Sequence, residues 1–136
     1  MKKYLQLLHY GHMDVNPGNI DLFWLEGNSR ITLMEQVDFI KRFYDESLPL
    51  SKAVIRQVKS IMINETTKNY TLSGKTGWAI RSNNNYGWFV GYLETRDGVC
   101  FFAALIEPVD QNDTKDFAQA RKSICMETFR ALKLIK

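Results

Sequence analysis

Residues 70–92, YTLSGKTGWAIRSNNNYGWFVGY, decide the reading of this chain. Two β-like runs, 70–81 and 87–96, flank the Asn-rich turn 82–86 (SNNNY). The first run carries Lys75-Thr76-Gly77 followed by Trp78. Within three residues Lys supplies a point cation, Thr a hydroxyl, and Gly the absence of a side chain. Alternation along a strand puts Lys75 and Gly77 on one face and Thr76 on the other. Glycine inside a strand often marks a place where a ligand or another backbone comes close. Taken alone, the tripeptide also fits a solvated lysine beside a bend.

Working outward, Asp97-Gly98 is a hairpin signal, because a two-residue type I′ turn needs the positive φ that Asn, Asp and Gly tolerate. Residues 99–107 (VCFFAALIE) form a third strand, apolar on both faces and so expected to be covered on both. Asp110–Thr114 is a loop. A long last helix spans 115–135, with Phe117, Ala120, Ile124, Thr128, Ala131 and Ile135 as its stripe and Cys125, Phe129 and Leu132 beside it.

Upstream, residues 4–10 are a short helical or irregular run, and 11–22 a loop rich in turn formers. Phe23-Trp24-Leu25 is an apolar cluster, with Trp24 read as a core or domain-seam residue. Thr32 and Glu35 make a capping box. The helix they open carries Leu33, Val37, Ile40 and Tyr44 inward and Asp38, Lys41, Arg42 and Asp45 outward. Ser51 caps a second helix with Val54, Val58, Ile61 and Met62 inside, and residues 64–69 are a polar connection.

Helices, then a three-stranded antiparallel meander, then a helix give an α+β domain. One domain spans 1–136, with a mainly helical part (1–69) and a part made of strands and the last helix (70–136). The apolar third strand calls for further cover, from a partner chain or another part of the protein.

The composition agrees with one folded domain: 45% of the 136 residues are hydrophobic and 12% aromatic. Eighteen basic and 15 acidic residues are mixed along the chain, a net charge of +3 with no basic stripe interleaved with aromatics, so nucleic acid is not an expected partner. Cys100 and Cys125 have no metal-type spacing and read as two small buried residues. His9 and His12 are too few for a metal site, and no metal or cofactor is expected. The first residues, MKKYLQLLHYGH, lack the apolar run and cleavage site of a secretory signal, so as it stands the sequence reads as cytoplasmic. No stretch is long enough to span a membrane.

Seven pieces of the chain, in order, resemble the C-terminal half of class D (OXA-type) β-lactamases and the related penicillin-sensor domains. They are Tyr10-Gly11-His12, Phe23-Trp24-Leu25-Glu26-Gly27, Glu35-Gln36-Val37, Leu48-Pro49-Leu50-Ser51, Gly74-Lys75-Thr76-Gly77-Trp78, Gly87-Trp88-Phe89-Val90-Gly91-Tyr92 and Arg121-Lys122-Ser123-Ile124. The resemblance implies a partial serine β-lactamase or transpeptidase-like fold and assigns roles. Lys75 would stabilise the substrate's negative charge and Thr76 would hydrogen-bond the same region. Gly77 would let the substrate lie against the strand. The Trp78 N–H would be half of an oxyanion hole. Arg121 would pair with the β-lactam carboxylate through its planar fork. Trp24 and Tyr10 would line the pocket around the family's catalytic lysine.

The departures bear on function. The family's nucleophile lies in a Ser-x-x-Lys motif, and none of Ser29, Ser47, Ser51, Ser60, Ser73, Ser82 or Ser123 has Lys at the third position after it. The family's Ser-x-Val motif is absent too, and His12 stands where the family has Asn. No catalytic residue is therefore assigned.

Three readings follow. The first is a truncated β-lactamase-like relic that binds a β-lactam or peptidoglycan-like molecule weakly, if at all, without hydrolysing it. The second is an interaction module that pairs with itself, or with a complementary N-terminal fragment, through an open sheet edge; a homodimer or larger assembly is expected. The third is part of a longer active enzyme. The resemblance places the family outside the cytoplasm.

Overall fold

A computed structural model describes every residue except Glu26 and Ser82. Glu26 of the FWLEG match and Ser82, first residue of the expected 82–86 turn, therefore lie outside the described residues. In chain order the elements are α1 (Lys2–Leu7), α2 (Leu33–Tyr44), α3 (Lys52–Met62), β1 (Ile63–Thr66), β2 (Tyr70–Arg81), β3 (Asn84–Thr95), β4 (Gly98–Ile106) and α4 (Phe117–Ala131). The α+β antiparallel architecture expected from sequence is present, with four strands in the order β1-β2-β3-β4 rather than three.

The added strand corrects the reading of 64–69 as a plain connection. Thr67 makes the strand possible. Its hydroxyl accepts from the Asn69 and Tyr70 N–H groups, and its own N–H donates to the Tyr70 carbonyl at 2.8 Å. That turn folds the polar INET segment back on β2, although all four of its residues are exposed and period-2 hydrophobicity is absent. The helical part therefore ends at Met62 rather than at residue 69.

Two turn expectations also shift. Asn84, Asn85 and Tyr86 belong to β3 and pair with Arg81, Ile80 and Ala79, so the expected five-residue turn is shorter. Asn83 takes the left-handed conformation there, φ +64°. At the next hairpin Thr95 pairs with Gly98, so Arg96-Asp97 form the turn. The positive φ falls on Gly98 (+144°) and not on Asp97, so the expected type I′ turn does not form.

The sheet is packed on both faces. On one side α2, α3 and the loop between them bring Ile40, Phe43, Leu48, Ile55 and Met62 against Tyr92. On the other, α4 and the chain end bring Cys125, Phe129 and Ile135 against Leu72, Phe89 and Leu93. Phe89 and Leu93 are wholly buried. Burying such a side chain contributes about 1.5–3 kcal/mol each. Strand β4 is only partly covered, short of the cover expected: Phe101 packs on the first cluster and Cys100, Phe102 and Ala104 on the second, all half-buried, while Val99 and Leu105 are exposed at the sheet edge.

The helix stripes are rotated from those read in the sequence. In α2, Gln36, Ile40 and Phe43 are buried while Leu33 is exposed. In α3, Ile55 is buried along with the expected Met62, while Val54 and Ile61 face solvent. In α4, Phe117, Cys125 and Phe129 are buried, and Ile124 and Leu132 are exposed. Each helix has apolar residues enough for two adjacent stripes, and only the angle at which it meets the sheet selects one. The Thr32–Glu35 capping box forms as expected.

Candidate functional site

The site grows from the end of β2 that β1 leaves bare. Strand β1 pairs with β2 only as far as Ser73, which faces Ile63. From Gly74 to Arg81 one edge of β2 has no strand beside it among the described residues. The Gly74 carbonyl still points to the β1 side, where it accepts from Asn64 Nδ2 at 2.7 Å. Alternate residues of a strand direct their main-chain groups to opposite edges. Thr76, Trp78 and Ile80 therefore present N–H and C=O to the open edge. The Trp78 N–H expected to act as an oxyanion donor points into that space.

Side chains alternate across the two faces. Ser73, Lys75 and Gly77 share the face of their β3 partners Tyr92, Val90 and Trp88, towards α2 and α3. Leu72, Gly74, Thr76 and Trp78 share the α4 face with Leu93, Gly91, Phe89 and Gly87. The separation of Lys75 and Gly77 from Thr76 is as alternation predicts. Lys75 is exposed, and its ammonium curls to the strand edge to donate to the Thr76 carbonyl at 2.6 Å.

Arg121 reaches the same strand from α4. Its Nη1 donates to the Gly77 carbonyl at 2.7 Å, and its Nε donates to Ala118 O, one turn back in its own helix, at 3.1 Å. The guanidinium carbon lies 5.8 Å from the centre of the Trp78 ring, within range of a cation–π contact. Gly87 makes room for this approach. A Cβ there would stand 2.8 Å from the Phe117 ring and 2.9 Å from Arg121 Cδ. Among the described residues no carboxylate forms an ion pair with Arg121 or Lys75. Lys75 thus lies at the open edge of β2, while Arg121 lies on the α4 face over the β2–β3 seam, where its guanidinium fork suits a carboxylate ligand.

Two residues the sequence reading passed over complete the wall. Trp78 Nε1 donates to Asn85 Oδ1 at 2.9 Å, and Asn85, itself buried, is gripped by Gln111 of the β4–α4 loop. Asn85 lay hidden in a run read as a turn, and Gln111 in a loop with no motif. Only the pairing of Asn84 with Arg81 moves Asn85 onto the sheet.

The two pocket residues stand apart from the wall. Tyr10 packs edge-on against Phe39 and accepts from Gln36 Nε2 at 2.7 Å, so α2 holds it. Burial raises its phenol pKa. It borders a hollow of about 400 Å³ with Lys2, His9 and Val15 among the lining residues. Trp24 is 51% exposed, so the core alternative for it is corrected: Phe23, 4% exposed, fills the core position beside it. The Trp24 carbonyl accepts from Arg81 Nη2 at 3.2 Å, tying its segment to the end of β2. The His12 side chain is exposed, while its main chain bridges Arg30 through two bonds of 2.8 Å.

Residues 1–129 match the penicillin binding protein transpeptidase domain. The chain belongs to that family. Within this transpeptidase family it is similar to Beta-lactamase OXA-48 of Klebsiella pneumoniae, with 36% identity over 135 residues, 99% of this chain and 49% of that protein. It is also 37% identical to the Regulatory protein BlaR1 of Bacillus licheniformis over 109 residues, 79% of this chain and 18% of that protein. Among solved structures, the class D β-lactamase YbXI from Nostoc superimposes with a TM-score of 0.90 at 41% identity, covering 99% of this chain and 55% of that one. The class D resemblance and fold read from the seven motif pieces are thus borne out. The transpeptidase-family chain spans about half the length of the curated β-lactamases it matches.

Proposed function

We propose that this chain forms the Lys75–Gly77 and Arg121 wall of a β-lactam-binding cleft, and that it recognises the carboxylate of a β-lactam or peptidoglycan-like ligand without opening the ring. The observation that carries the reading is Arg121. It is fixed 2.7 Å from the Gly77 carbonyl, over the β2–β3 seam behind the open edge of β2, and forms no ion pair with a carboxylate of the described residues. Lys75 adds a second cation at the edge itself, and the Trp78 N–H adds a neutral donor. Acyl transfer needs a nucleophile and a base within hydrogen-bond reach of each other. The sequence has no Ser-x-x-Lys pair to supply them. Of the seven site residues named from sequence, Lys75, Thr76, Gly77, Trp78 and Arg121 carry this reading. Trp24 and Tyr10 would border the cleft rather than hold the ligand.

Native mass spectrometry of the purified chain with excess benzylpenicillin tests it. The expected result is a reversible complex, weakened by Arg121→Ala, with no persistent covalent mass. A stable adduct, or turnover lost on Lys75→Ala, would overturn the non-hydrolytic reading.

One observation favours a second reading. Strand β4 lies at the edge of the sheet with nine residues, VCFFAALI after Gly98, and its outer edge has no pairing among the described residues. Such an edge is a template for another strand. The chain would then act by pairing with a second copy, or with a complementary segment that supplies the nucleophile. Subunit counts in the same spectra, and hydrolysis restored by adding an N-terminal β-lactamase fragment, would support it. A clean monomer indifferent to such a fragment would count against it.

A further inference from the structure

We infer that Asn85 is a positioning residue for Arg121, acting through the Trp78 indole and governed by Gln111. The inference rests on the proposed reading of Arg121 as a carboxylate site and adds what sets its geometry. Four observations support it. Trp78 is 40% exposed at the open end of β2. Its single donor, Nε1, is taken by Asn85 Oδ1 at 2.9 Å. Asn85 cannot turn away, because its amide nitrogen donates to the Gln111 carbonyl at 3.1 Å and its main-chain N–H donates to Gln111 Oε1 at 2.6 Å. It is only 6% exposed, so breaking this set strands buried polar atoms and is costly.

The indole so held is packed edge-on against Phe117 of α4, ring centres 5.2 Å apart, and lies beside the Arg121 guanidinium. The guanidinium has one anchoring bond to the sheet, Nη1 to Gly77 O. Its Nε is held by Ala118 O of its own helix, so the guanidinium can only tilt about the line joining these two bonds, and the flat Trp78 face bounds that tilt. The N–H fork of an arginine pairs bidentately with a carboxylate only when its plane is correctly turned. The orientation of Trp78 therefore sets how well Arg121 meets a carboxylate, and Asn85 sets the orientation of Trp78. Gln111 belongs to the loop between β4 and α4, so that loop and the strand edge are tied through three side chains. None of the three touches the space where a ligand would lie except Trp78.

The test is NMR on the full chain, following the Trp78 indole N–H and the Arg121 Nε–H, with benzylpenicillin and its methyl ester as probes. The ester removes the carboxylate charge and keeps the rest of the molecule. In the unaltered chain the acid is expected to bind more tightly than the ester, and Arg121→Ala to abolish that preference. Asn85→Leu, similar in volume, is expected to shift both N–H signals. It should also cut the preference by about five- to tenfold, the size of one ordinary hydrogen bond. Gln111→Ala should move the same signals in the same direction by less. Asn85→Leu added to Arg121→Ala should cost no further preference, because the effect runs through Arg121.

A folded Asn85→Leu chain with the Arg121 Nε–H unmoved would overturn the inference. If Asn85→Leu does not fold, Gln111→Ala, altered only in a half-buried loop side chain, decides by the same signal. If the unaltered chain shows no preference for the acid, the carboxylate reading of Arg121 fails. The Nε–H shift in the variants still decides whether Asn85 positions it.

Discussion

The two ends of the β2–β3 hairpin are made from the same strands and serve opposite purposes. At the hairpin's inner end, residues 70–74 and 91–95 lie between two helical layers, with β1 along their edge. Leu72, Ser73, Tyr92 and Leu93 are all 3% exposed or less. At the outer end, residues 75–81 have a bare edge, and Lys75, Trp78 and Ile80 are exposed. The inner end puts its apolar area into stability. The outer end leaves main-chain donors and Lys75 in solvent beside a half-buried Arg121, which contributes little to the fold and makes recognition possible. Rigidity at the inner end is what keeps the outer wall in place.

The largest test of this contrast is Leu93→Ala. Leu93 is wholly buried against the α4 cluster, so the substitution is expected to lower stability by about 2–5 kcal/mol, read by urea unfolding. A cost below 1 kcal/mol, on the scale of a surface change, would deny the inner end its structural role.

Gly87→Ala probes the outer end. The added methyl would meet both the Phe117 ring and the Arg121 stem. Overpacking is expected to cost about 1–3 kcal/mol, at the low end because the Arg121 side chain can swing away. The swing should abolish preference for acid over ester, an effect larger on binding than on stability. Undisturbed binding would show that Arg121 need not lie over Gly87.

A third effect, confined to alkaline pH, is electrostatic and belongs to the inner end. Burial pushes the Cys125 thiol up to about 11 from its ordinary value of 9.0. The folded chain therefore holds this proton more tightly than the unfolded chain does. The contribution to stability is complete below pH 9.0, falls as pH rises, and is gone above about 11. Burial, followed by the nearby Glu94 carboxylate, raises the Tyr44 phenol to about 12 and steepens the alkaline decline. Comparing unfolding curves of the chain and of Cys125→Ala between these pH values isolates the thiol. The variant's curve is expected to be flatter there; parallel curves would place the Cys125 thiol in a wetter setting than its burial indicates.

Much of this was legible before any coordinates. The Thr32–Glu35 capping box announces α2, because both partners are local. The alternation through Lys75-Thr76-Gly77 gives the faces of β2 because a strand's period is fixed. The order of motifs around those residues gives the family. What escaped detection depended on distant partners. Strand β1 has no hydrophobic pattern and exists because Thr67 closes a turn against a waiting edge. Ile55 and Phe43 were passed over for neighbours in the helical period, since helix propensity does not say where the sheet will lie.

By itself, the sequence determined which chemical groups are present: the Lys75-Thr76-Gly77 run, Arg121, and no Ser-x-x-Lys pair to attack a substrate. It also determined the antiparallel hairpin that carries them, because strand period and turn chemistry act over a few residues. Only the tertiary structure decided that Arg121, 44 positions after Gly77, would dock over Gly87 onto the Gly77 carbonyl. The same is true of Asn85 and Gln111, which meet across 26 positions to hold Trp78. The reason is physical. Hydrogen bonds and ring contacts act over a few ångströms, so their partners are set by how α4 and its loop pack on the sheet, and no local period encodes that packing.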